Sequence, residues 1–237
     1  MVLSVKESTM YPVSNLDELR LGKVKSQYDS NTAIDKYTVD TCDLSALGLA
    51  GDEQAESFHG GEDRAVLQYD FAHYADLAEQ FPESTAYFVK GGFGENLVAT
   101  GMNEQNMCIG DIVKVGSVVL QVTQPRQPCF KLNSRFSEPT LSRYVQDNFK
   151  TGWFYRVLQT GTMNAGDMIE VTERLHPEWT IAKVQHYLYV DTENKTAMQQ
   201  LADLDVLAKE TKGVFERRLQ NNVVENWTGR LIGKRKV

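Results

Sequence analysis

Residues 111–122 read Asp-Ile-Val-Lys-Val, then Gly-Ser, then Val-Val-Leu-Gln-Val. Two β-branched runs split by a two-residue Gly-Ser turn predict an antiparallel hairpin. The second run then meets Gln124-Pro125-Arg126-Gln127-Pro128-Cys129-Phe130-Lys131-Leu132. Each proline removes a backbone donor and fixes φ, so neither a central ladder nor a helix continues through this segment. A stiff loop holding Cys129 at a strand end is therefore expected. Arg126 and Lys131 flank the thiol, and nearby cations favour the thiolate, the form that attacks electrophiles and binds soft metals.

Other short strand-like segments begin at Leu21 and Lys36, and Gly110-Asp111-Ile112-Val113 is echoed by Gly166-Asp167-Met168-Ile169. Irregular short strands with glycine turns favour a closed barrel over a doubly wound sheet. Two helices interrupt them. Phe71, Tyr74, Leu77, Ala78 and Phe81 share one face of a helix over 70–81, and Ser137-Glu138-Pro139 starts a second with Leu141, Tyr144, Val145 and Phe149 as its stripe. After Val171 the β pattern gives way to three amphipathic stretches, beginning near Thr180, Lys195 and Leu207. The fold class expected is a mixed, β-rich α+β chain. It comprises a barrel domain over 17–172 and a small three-helix domain over 173–237.

With 41% hydrophobic and 24% charged residues, the chain has an ordinary globular composition. Its three cysteines (Cys42, Cys108, Cys129) are widely spaced and odd in number, which points to a reducing compartment rather than a disulfide framework. Cys42 and Cys108 read as core. Neither a signal peptide in residues 1–10 nor a membrane span is apparent, so the expected location is the cytoplasm. The formal charge of −7 disfavours nucleic acid as a partner. Within it, residues 112–137 contain no acid but do contain Lys114, Arg126, Lys131 and Arg135, an island suited to a small anionic ligand. The basic end, residues 233–236, reads as a solvated tail.

Two glycine clusters precede the cysteine: Gly48-Leu49-Ala50-Gly51-Asp52-Glu53-Gln54 followed by His59-Gly60-Gly61-Glu62-Asp63-Arg64-Ala65, and Gly91-Gly92-Phe93-Gly94-Glu95-Asn96-Leu97. Paired glycines let backbone donors approach an anion, and Arg64 is placed to clamp a phosphate. Neither has nucleotide-loop spacing. Taken in order, HGGxDRA, GxFGENL and QPRxPCxKL resemble the MOSC domain from about residue 22 to 171. Within that family the likeness is to the bacterial YiiM proteins, which also carry a C-terminal three-helix domain.

The resemblance implies a β-barrel-type domain that binds the molybdenum cofactor (molybdopterin), with Cys129 as the protein ligand to molybdenum. A soft thiolate suits a molybdenum–sulfur centre. It further implies cofactor contacts at Arg64, Gly94, Glu95, Asn96, Gln124, Arg126 and Lys131, and a proton donor at His59. The implied activity is reduction of N-hydroxylated substrates, N-hydroxylated purines such as 6-N-hydroxylaminopurine and hydroxylamines, to amines as a detoxification. A separate electron-donor reductase is implied, because the chain has no flavin or Fe–S motif. Two alternatives keep the fold: a sulfur carrier using a Cys129 persulfide, and a non-catalytic carrier of the cofactor. The sequence leaves the assembly open between monomer and homodimer.

Overall fold

The computed structural model describes residues 11–28, 30–56 and 59–233. The readings made on residues 1–10 and on the basic residues 234–236 lie outside that set. The chain runs through β1 (Val13–Asn15), β2 (Glu18–Gly22), β3 (Lys25–Gln27), β4 (Ser30–Thr32), β5 (Lys36–Val39), β6 (Thr41–Ser45) and β7 (Gly48–Leu49). It continues through β8 (Val66–Asp70), α1 (His73–Gln80), β9 (Leu97–Ala99), β10 (Ile112–Val115), β11 (Val118–Pro125), α2 (Phe130–Phe136) and α3 (Leu141–Asp147). Last come β12 (Trp153–Gln159), β13 (Gly161–Asn164), β14 (Met168–Glu173), α4 (Ile181–Tyr189), α5 (Lys195–Ala202), α6 (Lys209–Asn221) and α7 (Thr228–Ile232).

The mixed, β-rich α+β class is what forms. Nine strands make one curled sheet in the order β1-β14-β10-β11-β12-β8-β9-β2-β5, and β13-β6-β7 make a second. The hairpin expected at 111–122 is β10 and β11, paired from Ile112↔Gln121 to Val115↔Val118. Closure is where the structure departs from expectation. Hydrogen bonding does not join β1 to β5, so the large sheet is a half-barrel. The reason lies at Asp40 and Thr160. There the chain leaves β5 for β6 and β12 for β13, and those continuations pair with each other instead, Gly161↔Leu44 to Asn164↔Thr41. The Gly-Asp echo has a structural counterpart: the strands that follow its two copies, β10 and β14, pair antiparallel.

The sequence did not reveal β8, whose five residues are all buried. A strand covered on both faces loses the alternation by which strands are read. It pairs parallel with β9, and α1 makes the crossover. The helix begins three residues later than the pattern suggested. Asp70 Oδ1 accepts the Ala72 and Gly101 amides (2.9 and 3.2 Å), which turns the chain out of the strand first.

Two expectations around Cys129 need correction. The prolines do end β11, but Cys129 then occupies the N-cap position of a helix, α2, where a loop was expected. Proline restricts what precedes it and leaves the residues after Cys129 free to coil. Ser137, read as a helix start, instead ends α2 in the left-handed region at φ 54°. The next helix begins at Leu141, and Phe149 falls beyond it with φ 58°.

The three expected C-terminal helices are α4, α5 and α6, and a short α7 follows them. Thr180 caps α4 by accepting the Lys183 amide (3.2 Å). Trp179, Ile181, Val184, Leu188, Met198, Leu201 and Phe215 share one apolar cluster with the sheet residues Val113, Leu120, Val122, Trp153 and Tyr155. The helices are thus seated on the half-barrel through continuous buried surface. A second, aromatic cluster joins Tyr69, Tyr74, Phe88, Phe93 and Phe136 with Leu132, tying α1 and α2 together.

Candidate active site

A cavity of about 270 Å³ opens where β11, α2, the loop before β9, and the segments 32–36, 52–55 and 59–65 converge. Its wall includes Cys129, His59, Arg64, Gly94, Asn96, Gln124, Arg126 and Lys131. Eight of the nine residues singled out from sequence therefore meet in one place. Glu95 does not. It is fully buried behind the cavity, where its Oε1 accepts the Gly91 amide (2.7 Å) and the Tyr74 hydroxyl (3.0 Å), and burial raises its carboxyl pKa. Its work is to hold the glycine loop closed.

The glycine loop is built for close approach. Gly94 has φ +76°, and a Cβ there would meet Ile34 Cγ1 at 2.8 Å, so the loop packs against 32–34 only with glycine at this position. Asn96 lines the wall, but its amide is committed to the protein. Its oxygen accepts the Leu67 amide (3.1 Å), while its nitrogen donates to Arg20 O (3.1 Å) and Asp52 Oδ2 (2.9 Å). Gln124 Oε1 accepts from Thr211 of α6 (2.7 Å). Both are positioning groups for neighbouring chain segments.

The cations are more telling. Arg126 is only 9% exposed and lies over the Phe93 ring at 5.6 Å. Its amide donates to Gly152 O (2.9 Å), yet its buried Nη1 has no hydrogen-bond partner among the described residues. Burial lowers its pKa, because low-dielectric surroundings penalise the charged form. Lys131, on the first turn of α2, donates to Asn31 O (2.9 Å) and Glu56 Oε1 (3.1 Å). Arg64 pairs with Glu210 of α6. His59 is half-buried among Lys131, Arg126 and Arg64, and burial together with these charges pushes its pKa down to about 4.

Four further wall residues had been assigned no role from the sequence. Lys36 and Asp52 form a buried pair (2.6 Å), and Asp52 also accepts the Gly22 amide (2.5 Å). Glu210 and Arg230 come from the C-terminal helices α6 and α7. Nothing in their local sequence points toward a site so far upstream. Of the basic island, only Arg126 and Lys131 reach the cavity. Lys114 is exposed on β10, and Arg135 bonds Gly92 O (2.7 Å) and Asp35 Oδ1 (3.3 Å). Cys42 and Cys108 are buried away from the wall, as core residues, and burial raises the Cys108 thiol to about 11.

The MOSC domain family matches residues 55–170, which contain most of this wall, and the YiiM-like 3-alpha helix domain matches 179–222. Protein YiiM of Escherichia coli (strain K12) is 34% identical over 227 residues, covering 94% of this chain and 99% of that protein. The chain belongs to the YiiM family of MOSC-domain proteins. The crystal structure of YiiM from Escherichia coli matches with a TM-score of 0.80 at 30% identity, over 94% of this chain and 98% of that one. A protein named Reductase from Gibberella moniliformis (strain M3125 / FGSC 7600) is 49% identical over 146 residues, 61% of this chain. The matched stretch spans only 26% of that longer protein. No helix among the described residues is long and apolar enough to cross a membrane.

Proposed function

We propose that this YiiM-family protein is a cytoplasmic, molybdenum cofactor-dependent reductase that converts N-hydroxylated compounds to amines. N-hydroxylated purines such as 6-N-hydroxylaminopurine are the substrates expected. One observation carries the reading: a single thiol, Cys129, shares a cavity wall with a buried guanidinium, Arg126, whose Nη1 has no hydrogen-bond partner among the described residues. An orphaned buried cation is costly unless an anionic ligand completes it. A pterin bearing a dithiolene and a phosphate is such an anion. Among the described residues no three His, Cys, Asp or Glu side chains converge, so a metal at Cys129 must bring its other ligands with it. A dithiolene does that.

The residues present fit the group. Cys129 would supply the thiolate, Arg126 and Lys131 would offset its charge, and Arg64 is placed to exchange its pairing with Glu210 for a phosphate. Phe93, Phe154 and Leu67 give the wall its apolar faces for a flat ring. When bound, the cofactor supplies the two-electron redox chemistry. Reducing R–NHOH to R–NH2 and water consumes two electrons and two protons. The electrons come from a separate reductase, in keeping with the absence of flavin and Fe–S motifs in this sequence. His59 stands in the cavity as a neutral imidazole. An anion that offsets Lys131 and Arg126 raises its proton affinity toward the range in which it can deliver a proton.

The test is reduction of 6-N-hydroxylaminopurine by protein from a cofactor-competent host, with a chemical or enzymatic electron donor. Turnover that disappears in Cys129→Ser is expected. Equal turnover in both proteins sinks the proposal. Stoichiometric pterin without turnover leaves a carrier, and a Cys129 persulfide without pterin leaves a sulfur-transfer protein.

A further inference from the structure

The two matched family regions end at residue 222, yet the cavity wall includes Arg230. This residue lies on α7, the short helix the sequence did not reveal. Its Nη1 donates to the carbonyl of Pro128, the residue immediately before Cys129, and its Nη2 donates to Gln146 Oε1 of α3 (2.6 Å). The guanidinium lies over the Trp227 ring at 4.9 Å and the Tyr189 ring at 5.9 Å. Its planar fork thus spans the cysteine turn and α3 while aromatic rings fix its plane.

The helix that carries it is anchored to the same target. Leu231 O accepts from Asn133 Nδ2 of α2 (2.8 Å) and Ser142 Oγ of α3 (2.6 Å). Asn133 Oδ1 in turn accepts the Ser142 amide (2.7 Å). Gly233 abuts the Phe130 ring closely enough that a Cβ would stand 3.1 Å from it. Every one of these contacts lands on the helix headed by Cys129 or on its neighbour.

We propose that Arg230 is a positioning residue for the cysteine turn, and that α7 is a clamp setting the direction in which the Cys129 thiol enters the cavity. The Pro125 and Pro128 rings stiffen the segment but leave the Pro128 carbonyl, which no β-ladder holds, to be fixed from outside. Arg230 supplies that bond from a segment about 100 residues away. Any role for the clamp in holding a metal rests on the function proposed above; its role in ordering the turn does not.

The experiment compares full-length wild type with Arg230→Met, Arg230→Lys and Gln146→Leu, the last removing Arg230's anchor without touching Arg230. Hydrogen–deuterium exchange is measured on the cofactor-free proteins, and molybdenum content after dialysis on proteins from a cofactor-competent host. Arg230→Met should speed exchange across residues 129–136 by about tenfold, with β8 and β11 unchanged. Arg230→Lys should restore part of the protection, and Gln146→Leu should reproduce part of the loss. Molybdenum retention should follow the same order. Unchanged exchange at 129–136 in Arg230→Met overturns the proposal, whatever happens to the metal. Faster exchange spread evenly over the chain also overturns it, by making Arg230 a general stabiliser. If wild type holds no molybdenum but the exchange pattern appears, the cofactor reading fails and the clamp stands.

Discussion

Replacing Arg126 with methionine should make the cofactor-free protein more stable, although the residue sits in the middle of the site. Its Nη1 is buried with no hydrogen-bond partner among the described residues, and leaving such a donor unsatisfied costs about 1–3 kcal/mol. Against this stands its position over Phe93 at 5.6 Å, a contact worth about 0.5–2 kcal/mol. The Arg126 amide bond to Gly152 O is backbone and survives the change. Methionine retains most of the apolar stem and removes the charge, so the balance is a gain of about 1 kcal/mol. For a chain of this size that raises the melting temperature by about 2–4 °C. The assay is calorimetry on wild type and Arg126→Met purified from a host that makes no molybdenum cofactor. Protein from a competent host should show the opposite ranking, because only the wild type is stabilised by the bound anion. A lower melting temperature for cofactor-free Arg126→Met refutes the reasoning, since it would mean the guanidinium is already satisfied by the protein.

Gly94→Ala forces an L residue to φ +76° and brings its Cβ against Ile34, so about 1–2 kcal/mol of strain should lower the melting temperature by about 2–8 °C. Asp52→Asn strips the counter-charge from Lys36, whose pKa burial already lowers; the loss of about 3–5 kcal/mol should appear as a melting temperature about 10 °C lower. Burial and the neighbouring Lys131 and Arg126 push the His59 pKa down from the ordinary 6.5 to about 4, so between those values the unfolded chain binds more protons. Stability of the cofactor-free protein should therefore fall as pH drops from 6.5 toward 4, and His59→Gln should flatten that slope in melts taken across the window.

What the sequence revealed and what it hid have physical causes. The β10–β11 hairpin was legible because two β-branched runs flank a Gly-Ser turn that fixes the register. By contrast β8, buried on both faces, carries no period to read. Cys129, Arg126 and Lys131 were found together because they are local in the chain, two bracketing prolines marking the strand end. Lys36, Asp52, Glu210 and Arg230 were assigned no role for the opposite reason: each reaches the cavity only through tertiary packing. Glu95 shows the limit of motif reading. It lies inside the glycine cluster, but its carboxylate turns inward to Gly91 and Tyr74 rather than toward the cavity. A cluster of residues in sequence says where the chain comes close to a ligand, not which side chains face it.

The central claim is that the Cys129 thiolate holds molybdenum in this cavity. Its most direct test is molybdenum and pterin quantification on wild type and Cys129→Ser, both purified from a cofactor-competent host. Near-stoichiometric molybdenum and pterin in the wild type are predicted, with molybdenum lost in the serine variant while its melting temperature in the cofactor-free form is unchanged. Equal molybdenum in the two proteins, or none in the wild type, would contradict the account.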